Sequence, residues 1–493
     1  MISYTTLNQS NNQPSQQDKA VTRSVIKGTD DNSTCCALGT NTKFSTPPLQ
    51  STPYRLNSRQ SERYTLQSAA RRLLPGERVC NCMRMIVPES ETVAVKWSKS
   101  RQTASYGNLA VCGSIWTCPV CAARITEQRR EELTIATNAK NLYPVMITLT
   151  LRHNRHDGLE DLRRDLAIAW GKFKAGMPWK RIRERYGWVG DVRSQEITYS
   201  DADGWHPHYH ALVFFDHILS TDEIREFEEW CKLRWLDKLH KVGREGSYER
   251  ACDVQPGNLY AAAYVSKFGR EPANPDHKRP FGDDSAWTVA HELVKGSQKV
   301  GRSGDGDEHL TPFQLLYRYQ QGDKRSGALF REYAKATKGA SQLHWSKGFK
   351  AYLGIGEESD QELAQSVADD IETLIELTRS EWYSLLKLDN LERMRSGAGH
   401  HDLRGQLLQV AAAGDRLELL EWLEAAYDRL VELEAAADRD RIEQAQAAAA
   451  PILAARRQRS SWFGRDSVSS HRNANRWWER GQPPAPGWVP IDE

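Results

Sequence analysis

Hydrophobic spacing divides the chain into a mixed central part and a helical C-terminal part. PVMITLTLRH (144–153) is an apolar run of strand length. It lies between ITEQRREELTIATNAKNL (125–142) and LEDLRRDLAIAWGKFKAGM (159–177), whose apolar residues recur every three or four positions. This predicts helix, strand, helix. VRSQEITYS (192–200) and HYHALVFF (208–215) predict two more strands, with the turn-rich SDADGW between them. STDEIREFEEWCKLRWLDKL (220–239) predicts an amphipathic helix capped by Ser220 or Thr221. From 357 to 458 nearly every residue favours helix, ELAQSVADDIETLIELTRSEWYSLLKL (362–388) included, as in an antiparallel helical pair or a coiled-coil arm. Residues 1–65 are rich in Ser, Thr, Asn and Gln, and 459–493 in Arg, Ser, Pro and Trp, compositions that predict disorder. The expected organisation is a disordered 1–65, a cysteine-rich 66–125, an α+β domain over 126–350, a helical 351–458 and a disordered 459–493.

Composition narrows this picture only a little. A chain of 493 residues is long enough for several domains. Hydrophobic residues make up 39% and charged residues 27%, and no apolar run has the length of a membrane span. No apolar signal segment opens the chain, so the expected compartment is the cytoplasm. The net charge of +2 leaves nucleic-acid binding to local patches. In that compartment nine cysteines read as thiols or metal ligands rather than disulfides.

The cysteines cluster. CNC (80–82) precedes CGSIWTCPVC (112–121), in which Cys118 and Cys121 form a C-x2-C knuckle. Four thiolates suit tetrahedral zinc. Cys112, Cys118 and Cys121 are three expected ligands, and Cys82 is the fourth, with Cys80 as its competitor.

In GWHPHYHALVFF (204–215) three histidines alternate. On a strand, His208 and His210 share one face with Leu212 and Phe214, while Tyr209, Ala211, Val213 and Phe215 line the other. His206 precedes Pro207, which cannot donate to a sheet ladder, so it is placed at the strand's start with no role. If the two strands form a hairpin, Glu196 reaches the same face as His208 and His210. Two imidazoles and a carboxylate leave positions open on a metal, as catalysis requires.

PGNLYAAAYVSKFG (256–269) predicts a short helix with Asn258 as N-cap and Gly269 beyond its C-terminus. Tyr260, Tyr264 and Lys267 fall on one face of it. With a lysine and a metal-polarised phosphate nearby, a tyrosine can act as a nucleophile. KFKAGMPWKRIRERYGW (172–188) interleaves cations with aromatics. This marks Lys172, Lys174, Trp179, Lys180, Arg181 and Arg183 as a candidate DNA surface, with Arg270 added after the tyrosine helix.

These motifs together resemble the rolling-circle replication initiators of the HUH endonuclease superfamily, over roughly residues 80 to 350. VMITLTLRH is similar to that family's first motif, GWHPHYHALV to its second and YAAAYVSKF to its third, with Tyr264 and Lys267 as Y-x2-K. One departure is Tyr260, which stands where some plasmid initiators carry a glutamate that assists hydrolysis at termination. The resemblance implies an RRM-like antiparallel sheet with packed helices, an α+β fold. It implies Mg2+ or Mn2+ on His208, His210 and Glu196, a 5′-phosphotyrosyl intermediate on Tyr264, and a second transfer through Tyr260. Its implied partners are single-stranded or hairpin origin DNA and a host DNA polymerase, and the helical region could pair with a second copy of the chain, recruit a host helicase or bind DNA. A rolling-circle transposase would share this chemistry, and a non-catalytic zinc-stabilised DNA-binding regulator is the alternative outside it.

Overall fold

The computed structural model describes residues 58–100, 102–256, 303–304, 307–365, 370–397 and 400–462. All belong to the compact unit Tyr54–Glu493. The chain starts with α1 (Ser58–Leu73), a single 3-10 turn (Arg78–Cys80), β1 (Thr92–Ser98) and β2 (Thr103–Gly107). Next come α2 (Pro119–Thr137), β3 (Tyr143–Leu149), α3 (Leu159–Phe173), α4 (Gly176–Arg185), β4 (Trp188–Ser200), β5 (Gly204–Phe215), α5 (Thr221–His240) and β6 (Cys252–Pro256). A short ribbon, β7 (Ser303–Gly304) and β8 (Asp307–Glu308), leads to α6 (Pro312–Gln320), α7 (Lys324–Ala336), β9 (Leu343–Trp345), α8 (Phe349–Tyr352) and α9 (Asp360–Gln365). The last elements are β10 (Ile371–Thr378), α10 (Arg379–Ser396), α11 (Leu403–Ala411) and α12 (Arg416–Trp462). The architecture is α+β with antiparallel sheets. Among the described residues no helix is long and apolar enough to cross a membrane.

The larger sheet runs β6-β3-β5-β4-β9, antiparallel throughout. Its first four strands come from one β-α-β-β-α-β stretch, with the fourth strand beside the first and the third inside the second. The alternation in β5 sorts its side chains as the pattern predicts. Tyr209, Ala211, Val213 and Phe215 join the main core with Leu162, Leu166 and Phe173 of α3 and Phe227 and Trp235 of α5. Leu212 and Phe214 face the other way, into a smaller core with Met146, Val192, Leu133 and Ala136 of α2, and Phe349 of α8. Ser220 caps α5 in a reciprocal box with Glu223.

Three expectations need correction. Residues 58–65, expected as disordered, form the first half of α1, where Tyr64 is buried. IETLIELT, expected as helix, is strand β10, which pairs with β1 from Thr92↔Thr378 to Ser98↔Ile371 in a second sheet, β10-β1-β2. Its Ile and Thr residues favour a pleated surface, and Leu374, Ile375 and Leu377 are buried by the pairing. His206 and Pro207 lie inside β5, opposite Thr198 and Ile197, rather than before it. The ladder with β3 stops at Tyr209, so Pro207 has a strand on one side only and its missing N–H is tolerated.

Candidate functional site

The β4–β5 hairpin turns through residues 201–203 and closes at Ser200↔Gly204. Gly204 has φ +79, and a Cβ there would meet the Arg155 backbone at 2.8 Å, so the turn requires glycine. This register sets Glu196 directly opposite His208 and Ser194 opposite His210. The Glu196 carboxylate lies 3.5 Å from His208 Nε2 and 3.3 Å from His210 Nε2, and the two Nε2 atoms are 3.1 Å apart. Ligand atoms about 2.1 Å from one cation in cis positions would stand roughly 3.0–3.4 Å from each other, so these edges fit a shared divalent ion. Glu196 and His210 are buried and His208 is half-buried.

β3 adds a residue that sequence spacing does not reveal. Thr148 is opposite His210, and its Oγ1 lies 3.1 Å from His210 Nδ1. Nδ1 is thereby engaged on one side while Nε2 faces Glu196, the outer-shell arrangement that fixes a ligating imidazole. His206 extends the row. Its Nδ1 is 2.6 Å from His153 Nε2, and its ring centroid is 5.0 Å from that of His208. Burial, followed by the neighbouring His208, His153 and His309, pushes the His206 pKa down to about 3, so it stays neutral in this setting.

The second cluster unites Cys82, Cys112, Cys118 and Cys121, all buried, with their sulfurs within 4.8 Å of one another. Sulfur separations of 3.7 Å (Cys82–Cys118), 3.5 Å (Cys82–Cys121) and 3.6 Å (Cys112–Cys121) are close to the roughly 3.8 Å edge of a tetrahedron with Zn–S bonds of about 2.3 Å. Burial pushes the Cys118 thiol up, while hydrogen bonds from Cys112, Cys118 and Cys82 hold Cys121 low. Four thiolates packed this closely would repel one another unless a cation sat among them. Cys80, the competing ligand, points away, with its sulfur 3.2 Å from the Leu74 carbonyl oxygen. Cys118 also caps α2, where Pro119 takes the first position.

The candidate DNA surface divides by residue type. Lys172, Lys180, Arg181 and Arg183 are exposed, whereas Lys174 is bound to Asp191 at 2.5 Å. Trp179 is turned inward. Its ring meets that of Trp188 edge-on at 4.2 Å and lies near Phe173 and Trp230. It is therefore a core residue and not an exposed stacking platform. Tyr260, Tyr264, Lys267 and Arg270 lie outside the described residues.

The sequence profile of the family described as "Replication protein" matches residues 108–382. The chain is similar to "Protein rep" of Streptomyces lividans, 26% identical over 400 residues that cover 66% of this chain and 82% of that one. It is also similar to "Neomycin resistance protein" of Streptomyces cyanogenus, 33% identical over 132 residues, covering 21% of this chain and 30% of that protein. No solved structure matches.

Proposed function

The chain belongs to the replication protein family, and from that premise we propose that it initiates plasmid replication as a metal-dependent, origin-specific DNA nickase. The carrying observation is the convergence of Glu196, His208 and His210 on neighbouring strands of the sheet. An RRM-like reading of that sheet, as in HUH endonucleases, is supported by the β-α-β-β-α-β order and its strand arrangement.

In this reading Glu196, His208 and His210 hold Mg2+ or Mn2+, which supplies charge stabilisation to the scissile phosphate. Thr148 keeps His210 oriented. Tyr264 is the nucleophile. Its phenolic oxygen forms a bond to phosphorus as it gives up its proton, and the bond from phosphorus to the 3′ oxygen breaks. The DNA 5′ end stays on the tyrosine, and the departing oxygen takes up a proton to become a 3′-OH primer for a polymerase. Lys267, three residues further along the sequence, stabilises the phenolate. Tyr260, four residues earlier in the sequence, serves a second transfer that rejoins the strand. Lys172, Lys180, Arg181, Arg183 and Arg270 contact the DNA backbone. The four cysteines hold structural zinc.

The test is incubation with a supercoiled plasmid carrying the candidate origin and Mg2+ or Mn2+. Nicking should leave protein on the 5′ end, and Tyr264→Phe should abolish it. Full nicking by the Tyr260→Phe, Tyr264→Phe double variant overturns the nucleophile assignment, and full nicking in excess chelator overturns the metal role.

A further inference from the structure

Arg404, on α11, is fully buried more than 280 residues beyond the last cysteine of the cluster. A buried guanidinium has five N–H groups to satisfy, and each has an acceptor here. Nε donates to Asp402 Oδ1 at 2.9 Å, and Nη2 donates to Asp402 Oδ2 at 2.8 Å and to Ser68 Oγ at 3.1 Å. Nη1 donates to Gln67 Oε1 at 2.8 Å and to the Met83 carbonyl at 3.0 Å. These last two acceptors lead to the cysteines. The Gln67 oxygen is committed to Arg404, so its amide nitrogen faces the other way and donates to Cys118 Sγ at 3.1 Å. Met83 follows Cys82 directly and has φ +52, a left-handed conformation that an ordinary side chain adopts at a cost.

We propose that Arg404 is a positioning residue for the four-cysteine metal site, and that retention of the metal is coupled to docking of the C-terminal helices. Through Gln67 it aims an N–H at one thiolate. Through the Met83 carbonyl it holds the strained loop that presents another. Four thiolates on a dication carry a net charge of −2, so a donated N–H and a nearby guanidinium both stabilise the loaded centre. By linkage, a metal that binds better when α11 is docked also holds α11 in place. The inference rests on the reading of the cysteines as a zinc site.

The test uses the full chain. Zinc content is measured by mass spectrometry of the metal, and zinc release to an excess of chromogenic chelator is timed under conditions where circular dichroism shows the native fold. Gln67→Glu keeps an acceptor for Arg404 but sets a carboxylate against the thiolate. Arg404→Lys keeps the charge and loses the fork. Each should release zinc about tenfold faster than the wild type, the lower end of typical outer-shell effects. In the wild type, stripping zinc should speed hydrogen exchange in Leu403–Ala411, a readout that needs no variant to fold. Wild-type release rates in Gln67→Glu, or unchanged exchange in that helix after stripping, overturn the coupling while leaving the zinc site intact. Wild-type protein purified without zinc, and unaltered by Cys118→Ser, overturns the zinc reading and this inference with it.

Discussion

At the scale of single residues, the candidate catalytic centre depends on three side chains held by strand register. Glu196 is the anionic member, so Glu196→Gln keeps the shape and removes the charge. Mn2+ affinity measured by calorimetry should fall by more than the roughly tenfold that outer-shell changes typically cost. Thr148→Val, which removes the hydroxyl beside His210 Nδ1, should fall near that tenfold figure. Equal affinity in all three proteins would remove these residues from the metal site. Asp402 makes a prediction of a different kind. Against the upward push of burial, Arg404 and Arg84 hold its carboxyl well below the usual range. A depressed folded pKa gives stability that is full above the ordinary aspartate value of about 3.9 and is lost as pH falls from there towards the folded value. The gap in urea midpoint between wild type and Asp402→Asn should therefore be constant near neutrality and narrow below about pH 4. A gap that widens there would contradict the assignment. His208, His210 and Glu196 could be picked from period-2 spacing and a hairpin turn, because their contacts are local. Thr148 needs the register of a strand about sixty residues away, and Arg404 needs contacts across more than three hundred, which no spacing rule reaches.

At the scale of elements, composition misled where two structures could use the same residues. The aromatics of KFKAGMPWKRIRERYGW suggest a base-stacking surface, but Phe173, Trp179, Tyr186 and Trp188 are all buried and leave Lys172, Lys180, Arg181, Arg183 and Arg185 outside. Trp179→Ala should therefore cost about 3–5 kcal/mol of stability in denaturant titrations, the range for emptying a large aromatic site. Lys180→Ala with Arg181→Ala should leave stability within about 0.5 kcal/mol. That pair should lower the salt dependence of DNA affinity by roughly 0.7–0.9 in the log–log slope for every phosphate that is no longer neutralised. Unchanged affinity and slope would move the DNA path elsewhere. IETLIELT shows the opposite ambiguity. Its flanks are strong helix formers, so a window average hides the alternating Ile371, Thr373 and Ile375. The sequence still carried a boundary signal, because Thr378 and Glu381 form a reciprocal capping box that starts α10 there. Long, strongly periodic segments such as α3, α5 and β5 were legible because propensity, spacing and caps agree in them.

At the scale of the whole molecule, the described unit is interlocked between residues far apart in sequence. β1 gains its outer partner only when β10 arrives, and Trp382 of α10 donates its indole N–H to the Arg84 carbonyl, two residues after Cys82. Arg84 in turn meets Asp389 and Asp402, and Tyr106 of β2 donates to the Arg404 carbonyl. The cysteine segment and the C-terminal helices thus share one buried polar network, which half-satisfied would be costlier than none. A chain ending at Gln365 loses β10, the helices after it and Arg404. It should expose the β1 edge with Val93 and Val95, aggregate through it and fail to retain zinc. A chain ending at Ala436 should behave differently. Along α12, Leu419, Leu423, Ala426, Leu430 and Leu433 are buried at alternating four- and three-residue steps, and from Asp438 onward the described side chains are almost all exposed. Cutting there removes little buried surface, so the thermal midpoint should stay within a few degrees of the full chain, as for a change of under about 1 kcal/mol. Thermal melts and zinc content of the two truncations decide the matter. A cooperative, zinc-loaded protein ending at Gln365 would show that the cysteine site and the sheet stand without the C-terminal helices.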